Sequence, residues 1–142
     1  MKTGKIYKLT NTVDSKYYIG SSVQKYLSNR LSSHKTQAKK GNRPNCKLFK
    51  HMLLIGCDKW KIKLIEVINF ELKKDLYKKE NEYIDLDDPD CLNVKKGSGI
   101  YKSDYDTNKE YEKARYLNQI EYERKKSKLR WQKIKQSRII NE

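Results

Sequence analysis

Almost every apolar residue that recurs at strand or helix spacing lies in the first 94 of the 142 residues. Ile6, Leu9, Ile19, Leu53, Leu54, Ile62, Leu64, Ile65, Val67, Ile68, Leu76, Ile84 and Leu92 carry that pattern, so the core is expected there. Beyond it the chain turns polar, and from Ser103 onward it contains neither Pro nor Gly. Residues 1–94 hold 19 basic and 11 acidic side chains, and residues 95–142 hold 14 and 7. The second part is half as long and nearly as basic. This divides the chain into a core-forming domain, 1–94, and a basic, largely helical tail, 95–142, too sparse in apolar residues to build a core of its own. The net charge of +15 draws such a chain to polyanions, nucleic acid first among them.

Several classes are set aside early. The longest clearly apolar run, Met52 to Ile55, is far short of the ~20 residues that cross a bilayer, so no membrane segment is expected. The opening Met1-Lys2-Thr3-Gly4-Lys5 leads into alternating residues rather than an apolar signal core, which predicts an intracellular, reducing location. Cys46, Cys57 and Cys91 are odd in number and form no CxxC pair, so they read as buried or half-buried thiols rather than disulfides or zinc ligands.

Lys5 to Thr10 and Lys16 to Gly20 are β-branched and aromatic around a turn-like Asn11 to Ser15, which predicts a hairpin. Leu27, Leu31 and Ala38 predict a helix from Leu27 to Lys40, stopped at Gly41-Asn42. Asn45 is suited to cap a second helix, Cys46 to Ile55, that Gly56 ends. Trp60 to Asn69, with Ile62, Leu64 and Ile68 on one face and Ile65 and Val67 on the other, reads as a central strand buried on both sides. Glu71 to Leu86 returns to helical spacing through Leu72, Leu76, Tyr83 and Leu86. The expected fold is α+β, a small antiparallel-containing sheet in the order β-β-α-α-β-α with flanking helices. The tail is expected to form one long helix, its apolar set including Tyr101, Tyr105, Tyr111, Tyr116, Leu117, Ile120, Tyr122, Leu129, Trp131 and Ile134.

The hairpin carries the most specific signal. Lys5-Ile6-Tyr7, ten residues, then Tyr18-Ile19-Gly20 resembles the paired motif of the GIY-YIG nuclease family, whose two tyrosines lie side by side on neighbouring strands. Further residues extend the resemblance from Gly4 to about Val94. Arg30 and His34, four apart, share a helix face and could reach one phosphate. Glu80, in Lys79-Glu80-Asn81-Glu82-Tyr83-Ile84, is similar to the family's metal-binding glutamate, and Asn93 to the asparagine that follows that helix. Ser21-Ser22 matches the usual polar sequel to the second half-motif. Lys5 replaces the first glycine of the name motif, with Gly4 one place earlier, and Asn81 stands where the family often has Gln. Lys5 bears on how the strand approaches DNA. His51, with no partner at metal-ligand spacing, reads as structural or surface.

The resemblance implies a DNA endonuclease that hydrolyses phosphodiester bonds with Mg²⁺ or Mn²⁺ held by Glu80. Tyr7 would act as general base or orient the attacking water, with Tyr18 beside it; Arg30 and His34 would supply positive field, and Asn93 would orient a catalytic partner. A catalytic module with a short basic tail suits a stand-alone viral or mobile-element nuclease. In the tail, Lys113, Arg115, Arg124, Lys125, Lys126, Lys128, Arg130, Lys133, Lys135 and Arg138 would follow phosphates without reading sequence. The alternative is a nucleic-acid-binding protein of the same fold that has lost turnover. The oligomeric state is open at this level.

Overall fold

The computed structural model describes residues 1–96 and 106–140, so Tyr101 and Tyr105 lie outside the described residues. The chain divides into two units, within residues 1–99 and within residues 100–142. In the first, β1 (Lys2–Asn11) and β2 (Tyr18–Ser22) form the hairpin, followed by α1 (Leu27–Lys40), α2 (Lys47–Ile55), a 3₁₀ turn (Cys57–Lys59), β3 (Trp60–Phe70) and α3 (Lys73–Tyr83). The fold is the expected α+β arrangement in the expected order.

The sheet order is β2-β1-β3, antiparallel throughout, with Leu9 opposite Tyr18 on one side and Asn11 opposite Trp60 on the other. The middle strand is therefore β1, whose Ile6, Tyr7 and Leu9 are fully buried, and not β3. The apolar density of β3 suggested two-sided burial, but it sits at the edge with Lys61, Lys63, Leu64 and Val67 exposed. A β-bulge explains the mismatch. Ile6 pairs with Glu66 and Tyr7 with Leu64, so Ile65 is an extra residue that reverses the inward and outward alternation. Ile62 consequently packs on one face of the sheet, while Ile65 and Ile68 pack on the other. The bulge and the lysines also blunt this edge against further strand pairing.

Each face has its own core. Tyr7, Leu9, Trp60 and Leu92 pack with Ala38, Leu48, Phe49 and Met52 of α1 and α2, and Ile6, Ile19, Phe70 and Cys91 pack with Leu76 of α3 and Ile84. In α1 the buried stripe runs Leu27, Leu31, His34, Ala38, and Gly41, at φ 67°, closes the helix in the left-handed conformation. In α2 the cap differs from expectation. Cys46 is the N-terminal boundary and no side chain caps the helix, because Asn45 lies one position too early, in the turn closed by Cys46 N–H to the Arg43 carbonyl at 3.0 Å. Leu48, Phe49 and Met52 define the inward face, which leaves Leu53 and Leu54, expected in the core, 56% and 79% exposed. Helix α3 is shorter than its spacing suggested. It starts after an extended Leu72, whose N–H donates to Asp75 Oδ2 at 3.4 Å, and ends where Ile84 turns inward on extended backbone. Tyr83 and Leu86 stay at the surface. Cys57 and Cys91 are buried and Cys46 half-buried, all as free thiols.

The second unit contains α4 (Asn108–Ile140), 33 residues and about 50 Å long. Thr107 and Glu110 close its start reciprocally: the Glu110 N–H donates to Thr107 Oγ1 at 3.2 Å, and the Thr107 N–H to Glu110 Oε2 at 3.1 Å. Among the described residues no helix is long and apolar enough to cross a membrane.

Candidate active site

The site is built around the Tyr7 hydroxyl. Tyr7 stands on the middle strand opposite Gly20, and a Cβ at Gly20 would come within 2.5 Å of Tyr7 Oη and 2.6 Å of Cζ. The glycine is there to let the phenol ring lie across β2. Tyr18 is two residues away along β2, opposite Leu9, so the two tyrosines are diagonal neighbours on one face and not a directly opposed pair. Gly20→Ala should cost about 1–3 kcal/mol by overpacking against the ring, read as a lower midpoint of chemical denaturation.

Both tyrosines meet the edge of the His34 imidazole, with ring centroids 6.0 Å and 5.8 Å away, and Phe49 meets it at 6.1 Å. His34 Nε2 lies 2.7 Å from Tyr7 Oη, and Arg30 Nε donates to the same oxygen at 3.0 Å. Arg30 and His34 do share a face of α1, but they converge on Tyr7. His34 is 5% exposed, and burial, then the charges of Arg30 and Arg43, lower its pKa to about 4. It is neutral at pH 7, which corrects the expectation that it adds positive field and reaches phosphate. Of these two α1 side chains, Arg30 is the charged one.

This burial has a pH signature. The unfolded chain takes up the His34 proton near the ordinary histidine value of 6.5 and the folded chain near 4, so the unfolded state gains stability as pH falls between those values. Stability is constant above about pH 6.5 as far as His34 is concerned, and on the order of 3 kcal/mol is lost by about pH 4. Denaturation midpoints at pH 7 and pH 5 should differ more for the wild type than for His34→Gln.

Glu80 approaches from α3. The Ser21 hydroxyl donates to its Oε2, and burial raises its pKa while the Ser21 hydrogen bond and Arg30 oppose the shift. The same order of causes, burial against Arg30, raises Tyr7 above 10. Burial raises Tyr18, and the neighbouring Tyr7 and Glu80 add to it. Next to this group a cleft of about 230 Å³ is lined by Ser21, Gln24, Arg30, Lys73 and Tyr77. No cluster of three or more His, Cys, Asp or Glu side chains occurs among the described residues. A single carboxylate with a neighbouring hydroxyl is an all-oxygen donor set. It fits Mg²⁺ or Mn²⁺, which keep most of their water and phosphate ligands, and it does not fit zinc.

Asn93 is buried, and its side-chain hydrogen bonds run to Ile19 and Cys91 rather than to Tyr7 or Glu80. Its Oδ1 accepts the Ile19 N–H and its Nδ2 donates to the Ile19 carbonyl, both at 2.9 Å. With Tyr17 N–H to the Asp90 carbonyl at 2.9 Å and Leu92 N–H to the Tyr17 carbonyl at 2.8 Å, it closes the outer edge of β2. It is a positioning residue for the strand that carries Tyr18 and Gly20. Lys5 donates its ammonium to the Lys25 carbonyl and so ties down the loop after β2. His51 is structural, pairing with Asp14 at 2.8 Å and resting edge-on against Trp60.

Two residues of the site were missed as such from the sequence. Ser21 stood out only as a polar sequel to the motif, and Tyr77, three residues before Glu80 and on the same helix face, was findable from that spacing. The basic tail residues Lys113 to Arg138 all belong to α4 and are exposed. Lys125 pairs with Glu121 at 2.7 Å.

Two viral proteins are similar to part of this chain. The chain is 37% identical over 84 residues to "Putative MSV199 domain-containing protein 146R" of Invertebrate iridescent virus 6, a match covering 59% of this chain and 33% of the relative. It is 40% identical over 73 residues to "Uncharacterized protein 019R" of the same virus, covering 49% of this chain and 25% of that relative. The matched region thus spans a third or less of either viral protein. No solved structure matches the chain. The model of the GIY-YIG catalytic domain, by contrast, matches residues 3–93, the whole of the sheet and its three helices, and the chain belongs to that nuclease family.

Proposed function

We propose that this chain is a metal-dependent DNA endonuclease that hydrolyses phosphodiester bonds. The observation that carries the reading is the Tyr7 hydroxyl held between the Arg30 N–H and a neutral His34, with Glu80 close by. A neutral imidazole protonated on Nδ1 offers a bare Nε2 to the phenol, while Arg30 donates into the phenol oxygen. Held from both sides, the Tyr7 hydroxyl would orient the attacking water. Orienting water, rather than taking its proton, suits a buried phenol whose pKa is raised and which holds no free phenolate near neutrality. Arg30, partly open to the cleft, would bear on the charge that develops on the phosphate. Glu80 would hold Mg²⁺ or Mn²⁺ through oxygen, and such an ion would supply positive charge to the phosphate and the departing oxyanion.

The test is cleavage of supercoiled plasmid by the purified chain with Mg²⁺, Mn²⁺ or EDTA. Nicking or linearisation that EDTA abolishes supports the reading. DNA binding with no cleavage of duplex, flap or junction substrates in either metal overturns it in favour of a binding protein.

The α4 helix would add affinity that does not depend on sequence. Its segment 124–138 carries eight Lys and Arg and no acid, enough for several phosphate contacts. Truncation after Tyr101 is expected to weaken DNA binding and to flatten the dependence of log affinity on log salt; an unchanged slope would remove α4 from the interface.

A further inference from the structure

The second unit has a pattern that phosphate binding does not need. Leu117, Ile120, Arg124, Ser127, Trp131 and Ile134 recur along α4 at alternating spacings of three and four, so they form one longitudinal stripe. Leu117 and Trp131 leave 54% and 62% of their surface exposed. Most helical stability in proteins comes from packing, and a stripe at heptad spacing, apolar here except at Arg124 and Ser127, is the feature that usually finds a second helix. Charge is also segregated along it. Glu110, Glu112, Glu121 and Glu123 all precede the basic segment that begins at Arg124.

We propose that α4 pairs with α4 of a second copy of this chain as an antiparallel two-stranded coiled coil. In that arrangement Leu117 meets the partner's Ile134, Ile120 meets the partner's Trp131, and Arg124 meets the partner's Ser127. The flanking positions then match by charge: Glu123 faces the partner's Arg130 and Glu121 faces the partner's Lys128, each twice by symmetry. A parallel pair would keep an attraction between Glu123 and the partner's Lys128 but would stack Arg124 on its own copy, do the same for Lys113 and Arg138, and bring Arg130 beside the partner's Lys135. The antiparallel pair has one kind of like-charged contact, Lys113 with the partner's Arg138, formed twice by symmetry at the two ends of the seam where long side chains splay into water. The polar Arg124 and Ser127 layers limit affinity and fix the register. Lys125, Lys126 and Lys133 stay on the outer surface, free to meet phosphate. The dimer would put two catalytic domains in one particle, and it does not rest on the nuclease reading.

The test is sedimentation equilibrium of the full chain, free of nucleic acid. The mass is expected to rise from one chain to two across the micromolar range. Glu121→Lys with Glu123→Lys, and separately Lys128→Glu with Arg130→Glu, should each weaken association about tenfold or more, and an equimolar mixture of the two variants should recover it, because every flanking pair is again of opposite sign. These changes lie on an exposed helix and leave the core of the first unit alone. A wild type that stays monomeric at the highest soluble concentration, or a mixture that does not associate, overturns the proposal. For orientation, Arg124→Cys and Ser127→Cys chains carrying Cys46→Ser should form a disulfide with each other; a disulfide formed by Ser127→Cys with itself overturns the antiparallel arrangement.

Discussion

Glu80→Gln is expected to keep DNA binding, to lose metal-dependent cleavage by ~10²-fold or more, and to unfold at a higher temperature than the wild type. The amide has the shape of the carboxylate and can still accept the Ser21 hydrogen bond, but it brings no charge to a divalent cation. The stability gain follows from burial, which raises the Glu80 pKa more than Ser21 and Arg30 lower it. A carboxylate with a raised folded-state value favours the folded state at low pH and opposes it once both states are ionised, so removing the charge at pH 7 relieves a cost. Opposite changes in activity and stability from one isosteric substitution mark a group kept for chemistry rather than for folding. Plasmid nicking, fluorescence anisotropy on duplex DNA and thermal unfolding read the three effects. Nicking at a near wild-type rate in Mg²⁺ would sink the metal assignment, and a lowered unfolding temperature would sink the account of its burial.

The second large effect is at Tyr7. Tyr7→Phe keeps the ring that packs against Gly20 and in the core, and removes the oxygen that Arg30 Nε and His34 Nε2 both contact. If the hydroxyl orients the attacking water, the rate should fall ~10²-fold or more, with affinity for DNA unchanged. Stability should fall by about 1–3 kcal/mol, because His34 is left buried without its partner. Tyr18→Phe is the control for a generic loss of a phenol on this face. A Tyr7→Phe enzyme as active as the wild type would remove the phenol from the reaction, whatever the fate of Glu80.

Much of this was legible in the residues because local rules and tertiary demands agree. Helix α1 begins and ends where its apolar spacing and Gly41 place it, and Tyr7, Arg30, His34 and Glu80, scattered over three elements, do meet. What was illegible depends on partners. Nothing in Trp60 to Phe70 announces the bulge at Ile65, which needs β1 as its counterpart. The density of apolar residues there suggested a central strand when the neighbour on the far side is solvent. The charge state of His34 is set by Tyr7, Tyr18, Phe49 and Arg30 closing around it, none of which its place on α1 reveals. Asn93 carried a signal of importance, but its partner is main chain, and main-chain partners leave no trace in residue identity. Leu53 and Leu54 look like core until Leu48, Phe49 and Met52 claim the inward side of a short helix.

The clamp of Asn93 on Ile19 also sets an order of events during synthesis. The strand bearing Tyr18 and Gly20 is made early, yet the residues that close its outer edge, Asp90 to Asn93, are the last of the domain to leave the ribosome. At about 5–20 residues per second the nascent hairpin waits several seconds with that edge unpaired. A chain released before Asn93 would therefore carry a β2 strand whose outer edge is unsecured.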